Sequence, residues 1–191
     1  MGSYDGHPLQ DPDIASAVIY IVRNFLDIAF SISHHYQMTI QEAISFISHE
    51  DTFIEMSDSN VGSFIGSWST HVQSWTNGME KHPRYCIIRY EDMLINPVKV
   101  FKKVAKLVGV NDVKAIKSAV AKSQFSQLKQ QEAKFGFVEN PSESNRFFRL
   151  GSANQWRELM SNDDIQRVVD AHPQQMQKFG YIPKGYKPSE R

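Results

Sequence analysis

The sequence predicts an α/β fold in which a short parallel sheet is covered by helices, and three observations carry that expectation. Residues 17–22 and 85–90 are short, continuous apolar runs rich in β-branched side chains. Runs of that kind read as strands of a parallel sheet, buried on both faces, rather than as alternating, half-solvated ones. Around them, apolar residues recur at spacings of three and four, the period of an amphipathic helix. Finally, the first run ends in Arg23 and a helix bearing Ser31 follows directly. That order brings a fixed cation and a hydroxyl to the carboxyl end of a strand, where open parallel sheets bind their ligands.

Each element has a local reason. Residues 1–16 are rich in Gly, Pro, Asp and Ser and read as an irregular leader to one domain over 17–181. A helix is expected over 26–38. Thr39-Ile40-Gln41-Glu42 is a capping box that starts a second helix. Residues 50–62 are polar and turn-rich. Over 64–79, Ile65, Trp68, Val72 and Trp75 share one helical face and read as core. After the second strand, Asn96 caps a helix with Pro97 in its first turn, closing at Gly109. Val100, Phe101, Val104 and Leu107 supply its buried face, so Lys99, Lys102, Lys103 and Lys106 read as its solvated one. Another helix covers about 112–121. Residues 135–156 lack a sustained period and form a long loop, of the kind that usually carries function. Ser161 caps a last helix, which Pro173 breaks, and 182–191 is expected to be a mobile tail.

Composition excludes several function classes. Lys plus Arg equals Asp plus Glu, 21 against 21, which gives the whole chain no field for a nucleic-acid backbone; an anion site must be local. Cys86 is the only cysteine, which excludes an internal disulfide and suits a reducing compartment. Its apolar neighbours Ile87 and Ile88 mark a buried, inert thiol. No apolar stretch approaches bilayer length and the start is no secretory signal, so a cytoplasmic protein without a membrane partner is expected.

Four separated segments, residues 19–31 around Arg23-Asn24 and Ser31, 89–93 (Arg89-Tyr90-Glu91-Asp92-Met93), 123–128 around Phe125 and 147–156 around Arg149-Leu150-Gly151, resemble in order the sulfotransferases that use 3′-phosphoadenosine-5′-phosphosulfate (PAPS). Ile19-Tyr20-Ile21-Val22-Arg23-Asn24-Phe25-Leu26-Asp27-Ile28-Ala29-Phe30-Ser31 resembles the Val-Arg-Asn-Pro-x-Asp-x-Ala-x-Ser segment, with Phe25 in place of proline. Arg89-Tyr90-Glu91-Asp92-Met93 is similar to the Tyr-Glu-Asp-Met segment. Ser123-Gln124-Phe125-Ser126-Gln127-Leu128 is similar to Thr-Ser-Phe-x-x-Met/Leu. Phe147-Phe148-Arg149-Leu150-Gly151-Ser152-Ala153-Asn154-Gln155-Trp156 resembles the Phe-x-Arg-Lys-Gly-x-x-Gly-x-Trp loop. Here Leu150 replaces the lysine and Asn154 the second glycine. The texture of residues 19–24, 66–69 and 155–157 is closest to bacterial members.

The resemblance implies a P-loop-like three-layer fold and a nucleotide site. Arg23, Ser31 and Arg149 would hold the 3′-phosphate of PAPS or of its product 3′,5′-ADP (PAP), with the backbone N–H groups of Leu150 and Gly151 close to the anion. Tyr90, Ser123 and Phe125 would border adenine. It also implies sulfuryl transfer, without a metal, to a hydroxyl or amine of a small-molecule acceptor. The family's first strand, its Pro-Lys-Ser/Thr-Gly-Thr-Thr/Ser-Trp loop and its Lys-Thr-His context have no counterpart in the sequence. The chain therefore reads as the C-terminal two-thirds of such an enzyme, truncated at the N-terminus, with no catalytic residue assigned. His7 lies in the leader, His34 and His35 are helix neighbours, and no His, Cys, Asp or Glu set has metal-ligand spacing. Two other readings stay open: a catalytically inactive PAP- or PAPS-binding or interaction remnant, and a structural domain without a ligand. The acceptor and the oligomeric state are not legible.

Overall fold

A computed structural model describes residues 3–4, 7–8, 15–55, 62–78, 82–137, 146–148 and 150–189. The elements in chain order are β1 (Ser3–Tyr4), β2 (His7–Pro8), β3 (Val18–Val22), α1 (Phe25–His35), α2 (Ile40–Ser48), β4 (Phe53–Ile54), β5 (Ser63–Phe64), α3 (Trp68–Gly78) and β6 (Tyr85–Arg89). They are followed by α4 (Tyr90–Ile95), α5 (Pro97–Leu107), α6 (Val113–Lys122), α7 (Phe125–Phe135), α8 (Trp156–Leu159), α9 (Asn162–Ala171) and α10 (Pro173–Lys178). The mixture of a small parallel sheet and many helices agrees with the α/β expectation. The chain divides into two compact units: Met1–Tyr90 with Asn154–Arg191, and Glu91–Ala153.

In the larger unit, β3 and β6 pair in parallel from Val18 opposite Tyr85 to Val22 opposite Arg89. The short pairs β1–β2 and β4–β5 are antiparallel. One face of β3, carrying Tyr20 and Val22, packs on a core built by Phe25, Leu26 and Ala29 of α1, Ile44 and Ile47 of α2, and Trp68 and Val72 of α3. Val168 and Val169 of α9 and Met176 of α10 complete it. Burying a side chain such as Phe25 or Leu26 fully stabilises by about 1.5–3 kcal/mol each, which makes the α1 start a principal anchor. The expectation that β3 is buried on both faces is corrected. Ile19 and Ile21 are 40% and 52% exposed, alternating with buried Val18, Tyr20 and Val22. A run of consecutive apolar residues does not reveal that only its even-numbered members meet a layer of helices.

The cap chemistry read at Thr39, Asn96 and Ser161 forms those helix starts, and Asp112 adds a cap of the same kind. Thr39 Oγ1 accepts from Glu42 N at 3.2 Å, while the Glu42 carboxylate accepts from Thr39 N at 2.7 Å. Asn96 accepts from Lys99 N, Asp112 from Lys114 N and Ala115 N, and Ser161 from Asp164 N. Pro173 separates α9 from α10, as its missing N–H requires. Phe25, standing where proline is usual, occupies the first helical position behind the cap residue Asn24, whose Oδ1 accepts from Leu26 N at 3.1 Å. Phe25 meets Trp68 edge-on at 5.8 Å between ring centroids. The stretch from Ile182 is hydrogen-bonded to α9: Tyr186 Oη donates to Asn162 Oδ1 and Ser189 N to Asp170 Oδ1.

In the smaller unit, α5 presents Lys99, Lys102, Lys103 and Lys106 to solvent as expected, but its apolar face is only partly covered. Val100, Val104 and Leu107 are half-buried, whereas Phe101, expected to be inside, is exposed. Residues 125–135, which cross from the adenine-flanking segment into the expected loop, form the helix α7.

Candidate functional site

Parallel pairing dictates which residues meet beyond the strand ends. Since Val22 pairs with Arg89, the next residues along the two strands, Arg23 and Tyr90, leave the carboxyl edge of the sheet side by side. The Arg23 guanidinium carbon lies 4.5 Å from the centroid of the Tyr90 ring. Such a cation–π contact holds a planar cation in place without using any of its N–H donors. Nε of Arg23 is buried and has no hydrogen-bond acceptor among the described residues. A buried donor left unbonded costs free energy, so this guanidinium is suited to an acceptor-rich ligand. Ser31 stands exposed on α1, roughly two helical turns beyond Arg23. No hydrogen bond joins the two.

Two residues of the same unit add a feature that sequence reasoning missed. Asp27, 1% exposed, accepts from Asn154 N at 2.7 Å through Oδ2 and from Gln155 N at 2.9 Å through Oδ1. The signal was present in the chain: an acid set among Phe25, Leu26, Ile28 and Ala29 at a helix start needs buried donors. Asn154 lies at φ 65°, the left-handed region that asparagine tolerates better than most residues. That explains how asparagine serves where the family pattern has glycine.

The smaller unit gathers the other sequence-singled residues. Gly151, at φ 59°, packs against Phe125 so closely that a Cβ would overlap the ring. Phe125 is half-buried and meets Phe148 edge-on at 6.1 Å; Phe137 and Phe147 extend the aromatic group. Ser123 caps the end of α6 and is exposed, as is Leu150. Arg149 lies outside the described residues. Glu132 of α7, also missed, accepts from Phe147 N at 2.6 Å and Phe148 N at 3.0 Å. Its spacing of seven from Phe125 and four from Leu128 places it on their helical face, which was the available signal.

Two histidines of the larger unit are held by side-chain partners, His172 buried and His71 half-buried. His172 bonds Ser69 Oγ through Nδ1 at 2.8 Å and Ser48 Oγ through Nε2 at 3.1 Å, and burial pushes its imidazole down to about 4. Tyr20 Oη lies 3.0 Å from Nδ1 of His71; burial lowers the histidine and raises the phenol. The His172 ring, with both nitrogens bonded, is not open to a ligand as an acid or base would need to be. Cys86 is buried, with a free thiol. No described helix is long and apolar enough to cross a membrane.

Comparison with known proteins bears on this geometry. The model of the sulfotransferase domain family matches residues 11–180. The flavonol 3-sulfotransferase of Flaveria bidentis is 23% identical over 162 residues, covering 79% of this chain and 52% of that protein. Sulfotransferase 1A1 of Canis lupus familiaris is 26% identical over 168 residues, 85% of this chain and 56% of that one. The chain thus spans about half the length of these relatives. Among solved structures, mouse sulfotransferase SULT7A1 complexed with PAP superposes with a TM-score of 0.65 at 25% identity, covering 84% of this chain and 58% of that one.

Proposed function

The chain belongs to the sulfotransferase domain family, and from that premise we propose that it binds PAPS and PAP and serves sulfuryl transfer to a small-molecule acceptor. The observation that carries the reading is Arg23, lying over the Tyr90 ring at the carboxyl edge of a parallel sheet with a buried, unbonded Nε. A phosphomonoester supplies the acceptor oxygens that such a guanidinium lacks. The resemblance assigns Arg23, Ser31 and Arg149 to the 3′-phosphate, with Leu150 and Gly151 lending backbone N–H groups. Tyr90, Ser123 and Phe125 are assigned to adenine. A mouse relative that was solved with PAP supports the choice of nucleotide.

Bound PAPS supplies a sulfuryl group whose bond to the 5′-phosphate oxygen breaks as a bond to the acceptor oxygen or nitrogen forms. The residues of this chain bind and orient: Arg23 fixes the 3′ end, and the Tyr90 ring keeps Arg23 from turning away. The acceptor is a hydroxyl or amine of a small molecule; a flavonol sulfotransferase among the relatives favours a hydroxyl. We place the protein in the cytoplasm and, on the texture of residues 19–24, among bacterial-type members.

Calorimetry with 3′,5′-ADP and 5′-AMP tests the reading. The unaltered chain is expected to prefer 3′,5′-ADP by at least about tenfold, the scale of one charge-assisted contact. Arg23→Ala should abolish the preference. Equal affinity for the two nucleotides in the unaltered chain rejects the assignment. A second reading, binding without transfer, rests on the lack of a phosphosulfate-loop motif within these 191 residues. It predicts that preference together with no sulfuryl product from PAPS.

A further inference from the structure

We propose that Tyr181 is a positioning residue that clamps the two strand ends behind Arg23 and Tyr90, an inference that rests on the nucleotide reading above. All of its parts lie in the larger unit. Val22 and Arg89 are the last registered pair of the parallel β3–β6 ladder, and Arg23 and Tyr90 are the residues that follow them. Tyr181 touches both members of that pair. Its Oη donates to the Val22 carbonyl oxygen at 3.3 Å, and the Arg89 guanidinium carbon lies 4.8 Å from the centroid of its ring. One residue, 3% exposed, thus spans the last rung of the ladder, directly behind the place where the Arg23 guanidinium lies over the Tyr90 ring.

Local chemistry fixes Tyr181 from both sides. Helix α10 ends in a Schellman motif: Tyr181 N donates to Met176 O at 2.7 Å and Gly180 N to Gln177 O at 3.1 Å, with Gly180 at φ 67°. That turn favours glycine and sends the residue after it back onto the core, where Tyr181 and Met176 are both buried. Beyond it, the chain is tied along one face of α9. Asn162, Gln166 and Asp170, four residues apart, bond the Tyr186 hydroxyl, the Lys187 carbonyl and the Ser189 N–H. Among the described residues this sheet has two strands, and so small a ladder holds its ends weakly. Pinning both backbones at the last rung fixes the spacing of Arg23 and Tyr90 before an anion arrives, so less freedom is lost on binding. The hydroxyl bond is long for an O–H donor, so the ring carries the larger share of the clamp.

Tyr181→Phe keeps the ring and removes the hydroxyl bond; Tyr181→Leu removes both. Val168→Ala, a truncation at a fully buried residue of α9, is the control for loosened core packing. The unaltered chain and the three variants are titrated with 3′,5′-ADP and 5′-AMP by calorimetry. Tyr181→Phe is expected to lose about threefold of the preference for 3′,5′-ADP, the worth of one neutral hydrogen bond. Tyr181→Leu should lose about tenfold, the worth of one misplaced charged contact, and Val168→Ala should keep the preference within about twofold. Because the readout is a ratio of two affinities in one sample, a general loss of folded protein does not move it. If the unaltered chain shows no preference, the nucleotide reading fails and takes this inference with it. If it shows the preference and Tyr181→Leu keeps it within twofold, or Val168→Ala loses as much as Tyr181→Leu, the inference alone is overturned. Should Tyr181→Leu not fold by circular dichroism, Tyr181→Phe decides by the same limit. Should neither fold, nuclear magnetic resonance of the unaltered chain decides. Upfield-shifted Arg89 side-chain signals, together with an Arg23 Nε–H that exchanges slowly without nucleotide, support the clamp; ordinary shifts or fast exchange overturn it.

Discussion

Gly151 is constrained twice, by a φ of 59° that disfavours any side chain and by an aromatic ring where its Cβ would stand. Gly151→Ala should therefore cost roughly 1–3 kcal/mol from backbone strain and overpacking together. Urea unfolding followed by circular dichroism checks it, and a variant as stable as the unaltered chain would show that the loop re-forms elsewhere. At this scale the sequence was legible where backbone chemistry decides. Gly151 was singled out for close approach, and Asn154 at φ 65° does what its glycine counterpart does in the family pattern. The partners of the buried carboxylates were not legible. An acid among apolar residues announces that donors are needed, but the donors of Asp27 lie 127 and 128 residues away, and no local pattern gives their address.

At the scale of the element, the helix starts capped by Thr39, Asn96 and Ser161 follow from short-range chemistry and were read for that reason, whereas the helix expected over 64–79 begins only at Trp68, with Ser63–Phe64 in a strand and Ile65 outside the helix. The Thr39–Glu42 box satisfies two backbone N–H groups at once, and the bonds from Thr39 lower the Glu42 carboxyl below its usual range. A carboxyl lowered on folding stabilises above its unfolded value of 4.5, and this contribution is lost as pH falls through the still lower folded value. Thr39→Ala should cost about 1 kcal/mol. A drop in thermal midpoint of a few degrees is the expected reading, with no effect on nucleotide preference. Elements made by longer-range demands were less legible. Residues 85–89 form the expected strand, yet helix begins at once at Tyr90 without an intervening loop. The β4–β5 pair over 53–64 and the single turn of α8 lie in stretches too polar or too short to carry a period.

Taken whole, the neutral composition conceals a division. Glu91–Ala153 contains eleven Lys and Arg against six Asp and Glu, a formal +5, and the remaining chain has ten against fifteen, a formal −5. Whole-chain neutrality thus said little about local fields, since the boundary between units follows packing that no composition reveals. Acid stability follows from such packing too. His172 lies where α9 gives way to α10 and joins that corner to α3 through Ser69 and to α2 through Ser48. Phe25 lies 4.6 Å and Trp68 5.7 Å from its ring centre. A neutral imidazole donates through one nitrogen and accepts through the other, so one serine donates to the ring and one accepts from it. Protonation would remove the acceptor and bury a charge among aromatic rings, which is why burial takes the group from 6.5 to about 4. In the unfolded chain it titrates near the ordinary value, so between pH 6.5 and about 4 the unfolded state binds a proton that the folded state refuses. Stability must fall as pH drops through that window and level off below it, by up to roughly 3 kcal/mol at about 1.4 kcal/mol per pH unit. His71, also lowered by burial, adds a slope of the same sign. His172→Gln keeps a donor and an acceptor but does not titrate. It should be less stable than the unaltered chain at pH 7.5 and lose less on going to pH 4.5, with His71 supplying the slope that remains. Parallel urea-unfolding profiles for the two proteins across that range would mean that the ring is already charged, or already exposed, in the folded state.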